Sequence, residues 1–240
     1  LSLALLLVVG LLGCAAEETA NSPEPEPAQA QAEATPAPAE EPKDFASTIA
    51  WDAEYDVVVA GYGAAGATAA ITAADEGAKV LLTEKAPEGQ EGGNSKYSGQ
   101  GVMGTDDADA LFKYVQGMRG LFTHTLPDEM IRAFADGAYE NRQWLIDLGA
   151  DANNLDNAFG SGKPWVWNEY PELEGADHCI CYLVSGKNFD GSFYYLLQDN
   201  VEKRRDNIEI WYDSPAVHLI QDPDTKTILG VQINKNGTMV

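Results

Sequence analysis

The 240-residue chain carries 38 acidic against 15 basic side chains, a formal net charge of −23. A surface of that sign repels a phosphate backbone, which excludes a nucleic-acid partner. Hydrophobic residues make up 45% of the chain and cysteine occurs three times, enough for one sizeable core without a disulfide scaffold.

The sequence opens inside an apolar run, Leu1 to Leu12, closed by Gly13-Cys14. Such a run is shorter than the ~20 residues a bilayer-crossing helix needs and has the size of a signal-peptide hydrophobic region. Leu11-Leu12-Gly13-Cys14 resembles the bacterial lipobox. That resemblance implies that Cys14 receives the lipid and becomes the first residue of the mature protein, so 1–14 are signal and lipobox. Residues 15–50 are rich in Ala, Glu and Pro, as in Ser22-Pro23-Glu24-Pro25-Glu26-Pro27. A segment of that kind buries too little apolar surface to offset its ordering entropy, and is expected to be a disordered tether. The expected location is outside the cytoplasm, lipid-anchored to the bacterial cell membrane.

A globular unit is expected over 51–240. Tyr55 to Ala60 is a short β-branched run, apolar on both faces, as in a strand buried in a parallel sheet. Gly61-Tyr62-Gly63-Ala64-Ala65-Gly66 follows, then a small-residue helix over Ala67–Asp75 stopped by Glu76-Gly77, and a second strand over Lys79–Thr83 ending at Glu84. Each part has a duty in dinucleotide binding. Gly61 permits the tight turn, Gly63 lets the pyrophosphate reach backbone amides, and Gly66 lets the helix lie close on the sheet. The helix N-terminus, with the amides near Ala64 and Ala65, favours an anion. Glu84 is placed to accept hydrogen bonds from a ribose diol and would repel a 2′-phosphate.

The same fingerprint serves NAD and FAD. Glu84-Lys85-Ala86-Pro87 leads into Glu91-Gly92-Gly93-Asn94-Ser95 and Ser98-Gly99-Gln100-Gly101-Val102, and here the chain resembles the flavoprotein subunits of fumarate reductases and succinate dehydrogenases. The resemblance covers about residues 53–240. It implies an α/β fold with a Rossmann-like, glutathione-reductase-type FAD-binding domain, an inserted β-meander, and a capping domain beyond residue 240. It further implies FAD held by the glycine loop, Glu84, Lys85, Gly93, Asn94 and Ser95, by the small stretch at Gly99, Gln100 and Gly101, and by the backbone near Ala216 and Val217 at the adenine. One departure stands out. Family members often carry two adjacent glycines where this chain has Gly99-Gln100-Gly101, which places a side chain at 100 near flavin or substrate.

Downstream, Thr125-Leu126-Pro127-Asp128 reads as a capping-box start. Ile131, Phe134, Ala138, Leu145 and Leu148 recur at helical spacing as core residues, ending at Gly149. Trp165-Val166-Trp167-Asn168-Glu169-Tyr170 is aromatic in an irregular stretch and reads either as packing under a loop or as the lining of a cavity for a planar substrate. Cys179 and Cys181 fit one face of an alternating strand without a metal, and His124, His178 and His218 fall in no catalytic or metal spacing. Strands are expected over Ile208–Tyr212, Ala216–Ile220 and Ile228–Ile233, with a hairpin turn at Asn236-Gly237.

The resemblance implies an oxidoreductase that passes hydride from flavin to an activated C=C bond of a small enoate or enone. Its proton donor and substrate clamp belong to the family's cap, so no catalytic residue is expected within 1–240. The electron donor would be a cytochrome, a quinone-linked partner or a flavin module. Two alternatives stay open: the reverse, dehydrogenating direction seen in ketosteroid dehydrogenases, and a lipid-anchored binding protein without redox chemistry.

Overall fold

The computed structural model describes residues 44–119 and 126–240. The apolar run, Cys14 and the tether up to residue 43 lie outside the described residues, as do His124 and Thr125. The described residues begin at Asp44, within the stretch expected as tether. Phe45–Thr48 form a 3-10 turn whose Ala46 amide donates to the Asp44 carboxylate, and this turn belongs to the same compact unit as the rest.

In chain order the elements are β1 (Val57–Ala60), α1 (Ala64–Asp75), β2 (Val80–Thr83), α2 (Gly93–Tyr97), β3 (Gly101–Gly104), α3 (Ala108–Arg119), α4 (Asp128–Asp147) and α5 (Ala152–Leu155). They continue with β4 (Trp165–Val166), β5 (Ile180–Leu183), α6 (Ser192–Glu202), β6 (Ile208–Trp211), β7 (Ala216–Gln221), β8 (Ile228–Lys235) and β9 (Thr238–Met239). Three sheets result. β1-β2-β6 is parallel, β3-β5-β4 is antiparallel, and β7-β8-β9 is an antiparallel meander.

The parallel sheet explains the strand composition. Val57 and Val59, Val80 and Leu82, and Ile208 and Ile210 share the face that packs on α1 and α6 through Ala67, Ala70, Ile71, Ala74, Leu197 and Val201. Alanine on α1 brings its backbone close to the strands, as a helix must lie when its first turn is to hold a ligand. β2 is buried along its whole length. β1 is not: it pairs on one side only among the described strands, and Val58 on its second face is 40% exposed. The expectation of a doubly buried first strand is therefore corrected. Val58, Leu81 and Trp211 instead line a groove of about 540 Å³, whose other wall is Leu229, Val231 and Ile233 of the meander.

Helix α1 ends as its composition suggests, with the Ala78 amide donating to the Ala73 carbonyl across Gly77. The Asn236-Gly237 turn also forms as expected. Both residues have positive φ, at 51° and 87°, the twist of a two-residue hairpin. Helix α4 begins at Asp128 with Pro127 as an extended N-cap and acidic Asp128 and Glu129 in its first turn; Thr125, the first residue of the expected capping box, lies outside the described residues. One expectation for α4 is corrected. Phe134 is 45% exposed, whereas Ile131, Ala135, Ala138 and Leu145 are buried. The inward stripe runs through Ala135, which lets α3 approach through Leu111 and Tyr114.

Candidate cofactor-binding site

Parallel strands end together, and here their carboxyl ends gather the loops that matter. After β1 comes the loop 61–66, after β2 comes Glu84 to Pro87, and after β6 comes Tyr212 to Pro215 leading into Ala216 and Val217. In open α/β sheets this rim is where ligands bind. The loops are tied to each other. The Ser214 amide donates to the Glu84 carbonyl at 2.8 Å, the Glu84 amide donates to the Trp211 carbonyl at 2.8 Å, and the Thr83 hydroxyl donates to the Ser214 carbonyl.

The three fingerprint glycines differ in what the fold itself demands of them. Gly61 has φ +104°, a conformation that disfavours any side chain. A Cβ on Gly66 would overlap the Gly61 carbonyl oxygen, so helix and loop could not approach as they do. Gly63 faces neither constraint: its φ is −85°, and a Cβ there would meet only the Ser95 Oγ at 3.5 Å and the Gly92 carbonyl at 3.7 Å, ordinary contact. Its missing side chain leaves room in front of the loop. Among the described residues the amides of Gly63, Ala65 and Gly66 have no hydrogen-bond partner, while the Ala64 amide donates to Ser95 Oγ at 3.0 Å. Three free donors at the positive end of a 12-residue helix, beside a glycine with room in front of it, suit an anionic pyrophosphate.

Glu84 is buried at the end of β2. One carboxylate oxygen accepts from the Tyr62 amide at 2.6 Å and the other from the Ala86 amide at 2.9 Å. Each oxygen keeps a second lone pair, so the group fixes the glycine loop and retains acceptor capacity at the rim. Lys85, Gly93 and Asn94 are exposed. At Ala216 and Val217 the meander register slips between Ala216 and His218, leaving exposed Val217 outside the ladder.

The small-residue stretch behaves differently from the expectation. Gln100 does not project toward a ligand. It is 2% exposed at φ 61°, its amide nitrogen donates to the Ser95 carbonyl and to Ser98, and its carbonyl accepts from the Tyr194 amide at 3.1 Å. A Cβ on Gly101 would overlap Cys181 Sγ, so that glycine makes room for a thiol of this chain. Gly99 stays open, with only the Phe189 ring 3.9 Å from a Cβ.

Residues not singled out from the sequence complete the back of the site. Tyr194 donates its hydroxyl to the Tyr62 carbonyl at 3.0 Å. Glu91 is buried and accepts from Gln198 at 2.5 Å. Burial, and then the neighbouring Tyr212 and glutamates, push the Tyr62 hydroxyl well above the usual phenol range. Burial followed by Glu91 pushes Tyr212 up to about 12. These phenols stay neutral at physiological pH. Tyr194, Leu197 and Val201 sit on one helical stripe, a signal that finds α6, but nothing local predicts its contact with Tyr62.

The aromatic run packs on itself. Trp165 and Trp167 stack with ring centroids 5.2 Å apart, Phe159 lies edge-on to Trp165, and Trp167 is 46% exposed. They form a surface ladder. Cys179 and Cys181 are buried, burial raises both thiols, and Cys181 reaches about 11. His178 binds the Asp106 carboxylate at 2.7 Å on the surface. Among the described residues no group of His, Cys, Asp and Glu is placed to hold a metal, and no helix is long and apolar enough to cross a membrane.

A parallel sheet with a glycine loop, a free helix N-terminus and a rim carboxylate defines a dinucleotide-binding unit of the Rossmann-like class. The particular family follows from comparison. Residues 56–240 match the family described as FAD binding domain (FAD_binding_2), and the chain belongs to it, with FAD as its cofactor. The chain is similar to the urocanate reductase of Eggerthella lenta, 27% identical over 194 residues, which are 77% of this chain and 29% of that protein. It is also similar to the 3-oxosteroid 1-dehydrogenase of Mycolicibacterium smegmatis, 55% identical over 104 residues, 39% of this chain and 17% of the relative. Among solved structures, the 3-ketosteroid-Δ4-(5α)-dehydrogenase of Rhodococcus jostii RHA1 superposes with TM-score 0.60 at 23% identity, covering 83% of this chain and 46% of that one, a likeness of fold. The chain thus spans under a third of the length of these two curated relatives.

Proposed function

We propose that this chain is the cofactor-holding portion of a flavin-dependent oxidoreductase acting on CH–CH bonds, and that the whole protein reduces an activated C=C bond of a small enoate or enone. The observation that supports it is the cradle of free amides at α1, in a chain of the FAD-binding family that is similar to a urocanate reductase. Bound FAD would supply the hydride. The chain's own residues would do the holding: the amides of Gly63, Ala65 and Gly66 on the pyrophosphate, Glu84 on the ribose, and Ser95 beside the cradle. The proton donor and substrate clamp would belong to sequence outside these residues.

A second direction has its own support. The 55% identity to a 3-oxosteroid 1-dehydrogenase over 104 residues favours a scaffold able to take hydride from a saturated carbon. One experiment separates the two. Full-length protein is purified, its flavin absorbance recorded, and turnover measured with reduced dye against enoates and enones and with an artificial acceptor against 3-ketosteroids. Dye oxidation by an enoate supports the reductase, acceptor reduction by a saturated ketosteroid supports the dehydrogenase, and flavin with neither activity counts against both.

The setting is part of the proposal. Leu11-Leu12-Gly13-Cys14 supports a lipid anchor on Cys14 that would hold the enzyme outside the cytoplasm, near a cytochrome, quinone-linked or flavin-bearing electron donor. Labelling with a fatty-acid analogue tests it: wild type should carry label and the Cys14→Ala variant none.

A further inference from the structure

The side chain that breaks the glycine pattern at 100 sits in a closed circuit of hydrogen bonds. The Tyr194 hydroxyl donates to the Tyr62 carbonyl, the Tyr194 amide donates to the Gln100 carbonyl, and the Gln100 amide nitrogen donates to the Ser95 carbonyl. Ser95 Oγ then accepts from the Ala64 amide, and the backbone through Gly63 joins Ala64 to Tyr62. The ring of contacts thus runs through Gly63, the fingerprint glycine whose φ is ordinary and whose Cβ position meets only ordinary contacts. Gln100 and Tyr194 are both almost wholly buried, and a Cβ on Gly92 would come within 2.8 Å of the Tyr194 ring. The clasp is fitted tightly between the glycine loop and α2.

We propose that Gln100 and Tyr194 are positioning residues: a clasp that joins the two halves of the cradle, seats Ser95 Oγ on the Ala64 amide, and so preforms the loop that receives the FAD pyrophosphate. This rests on the cofactor assignment above. The cost of the clasp is visible, since Gln100 adopts a positive φ that a glycine would take without strain. Its buried hydrogen bonds offset part of that strain within the fold itself, and a residue so placed can also act through the site. One that orders a binding loop before the ligand arrives lowers the entropy lost on binding.

The test measures FAD affinity, not turnover. Deflavinated full-length protein is titrated with FAD by quenching of flavin fluorescence, well below the melting temperature of each variant, with circular dichroism confirming the fold. Gln100→Gly relieves the backbone but leaves the Tyr194 amide and the Ser95 carbonyl without their partner, so the two effects oppose each other and it should melt within a few degrees of wild type. It should nevertheless bind FAD about tenfold more weakly, the affinity equivalent of one net hydrogen bond. Tyr194→Phe keeps the ring, drops the hydroxyl, and should show a similar loss. The double variant should lose little more than either single one, because a circuit opened once is open. Affinities of both single variants within twofold of wild type overturn the clasp, and so does a double variant whose loss is the product of the two. Wild type that takes up no FAD overturns the cofactor assignment and the clasp together. Wild type that binds alongside unaffected variants overturns the clasp alone.

Discussion

The parallel sheet and the antiparallel β3-β5-β4 sheet, which with its helices forms an insertion between β2 and β6, use glycine for opposite ends. In the insertion, three glycines have their missing side chains replaced by other parts of the same chain. Cys181 Sγ fills the space beside Gly101, the Tyr182 ring that beside Gly104, and the Ala110 carbonyl that beside Gly175. At the rim of the parallel sheet, Gly66 is likewise filled by the Gly61 carbonyl, but Gly63 meets nothing closer than 3.5 Å. A glycine filled from within is a packing device. A glycine left open beside unpaired amides is a place for a ligand. Counting glycines does not separate the two; asking what each absent Cβ would touch does.

Three substitutions put that distinction under strain, the largest effect first. Gly66→Ala forces a methyl into the Gly61 carbonyl, which cannot move without dragging β1 and α1 apart. It should cost about 3 kcal/mol in urea unfolding and abolish FAD uptake. Gly63→Ala should do the reverse. Its backbone is allowed and its contacts are ordinary, so apo stability should hold or rise by about 0.5 kcal/mol, while FAD affinity falls about a hundredfold as the methyl enters the pyrophosphate's path. Equal affinity in wild type and Gly63→Ala would mean the open space at 63 is not the cofactor's. Gly104→Ala, pressed against the Tyr182 ring, should cost about 2 kcal/mol with FAD affinity within twofold of wild type.

The same comparison explains what the sequence made legible. β1, α1, β2 and the strands from Ile208 onward could be read because strand composition, glycine spacing and the Asn236-Gly237 turn are local signals, and local rules decided them. Gly61, Gly66 and Glu84 could be placed for that reason. The insertion resisted. β3 is Gly-Val-Met-Gly, with no β-branched run, and forms because β5 lies beside it. α3 carries Leu111, Tyr114, Val115 and Met118 at helical spacing, a stripe legible in the sequence to which no helix was assigned. Phe134 was misplaced because spacing alone does not say which of two adjacent positions turns inward, and Ala135 had the better fit to α3. Gln100 was misread for a deeper cause. Its partners, Ser95 and Tyr194, are five residues away and far along the chain, so whether it faced ligand or core depended on tertiary structure alone.

The smallest effect tests the packed half by titration. The Cys181 thiol fills the space Gly101 leaves and is fully buried. Burial, with Cys179 beside it adding a smaller share, raises its pKa from 9.0 to about 11. Deprotonation is thus harder in the folded state than in the unfolded one. The stability this represents is fully present below pH 9 and is lost as pH rises toward 11, because the unfolded chain releases its proton first. The melting temperature should therefore decline between pH 9 and 11, and decline less steeply in Cys181→Ala, whose loss of packing lowers the whole curve without tilting it. At pH 8 an alkylating reagent should modify Cys181 only as fast as the insertion opens, since the buried thiol presents almost no thiolate. Rapid modification of Cys181 in folded protein at that pH would show the space beside Gly101 to be reachable from solvent, and the contrast between a packed insertion and an open cradle would narrow to Gly63 alone.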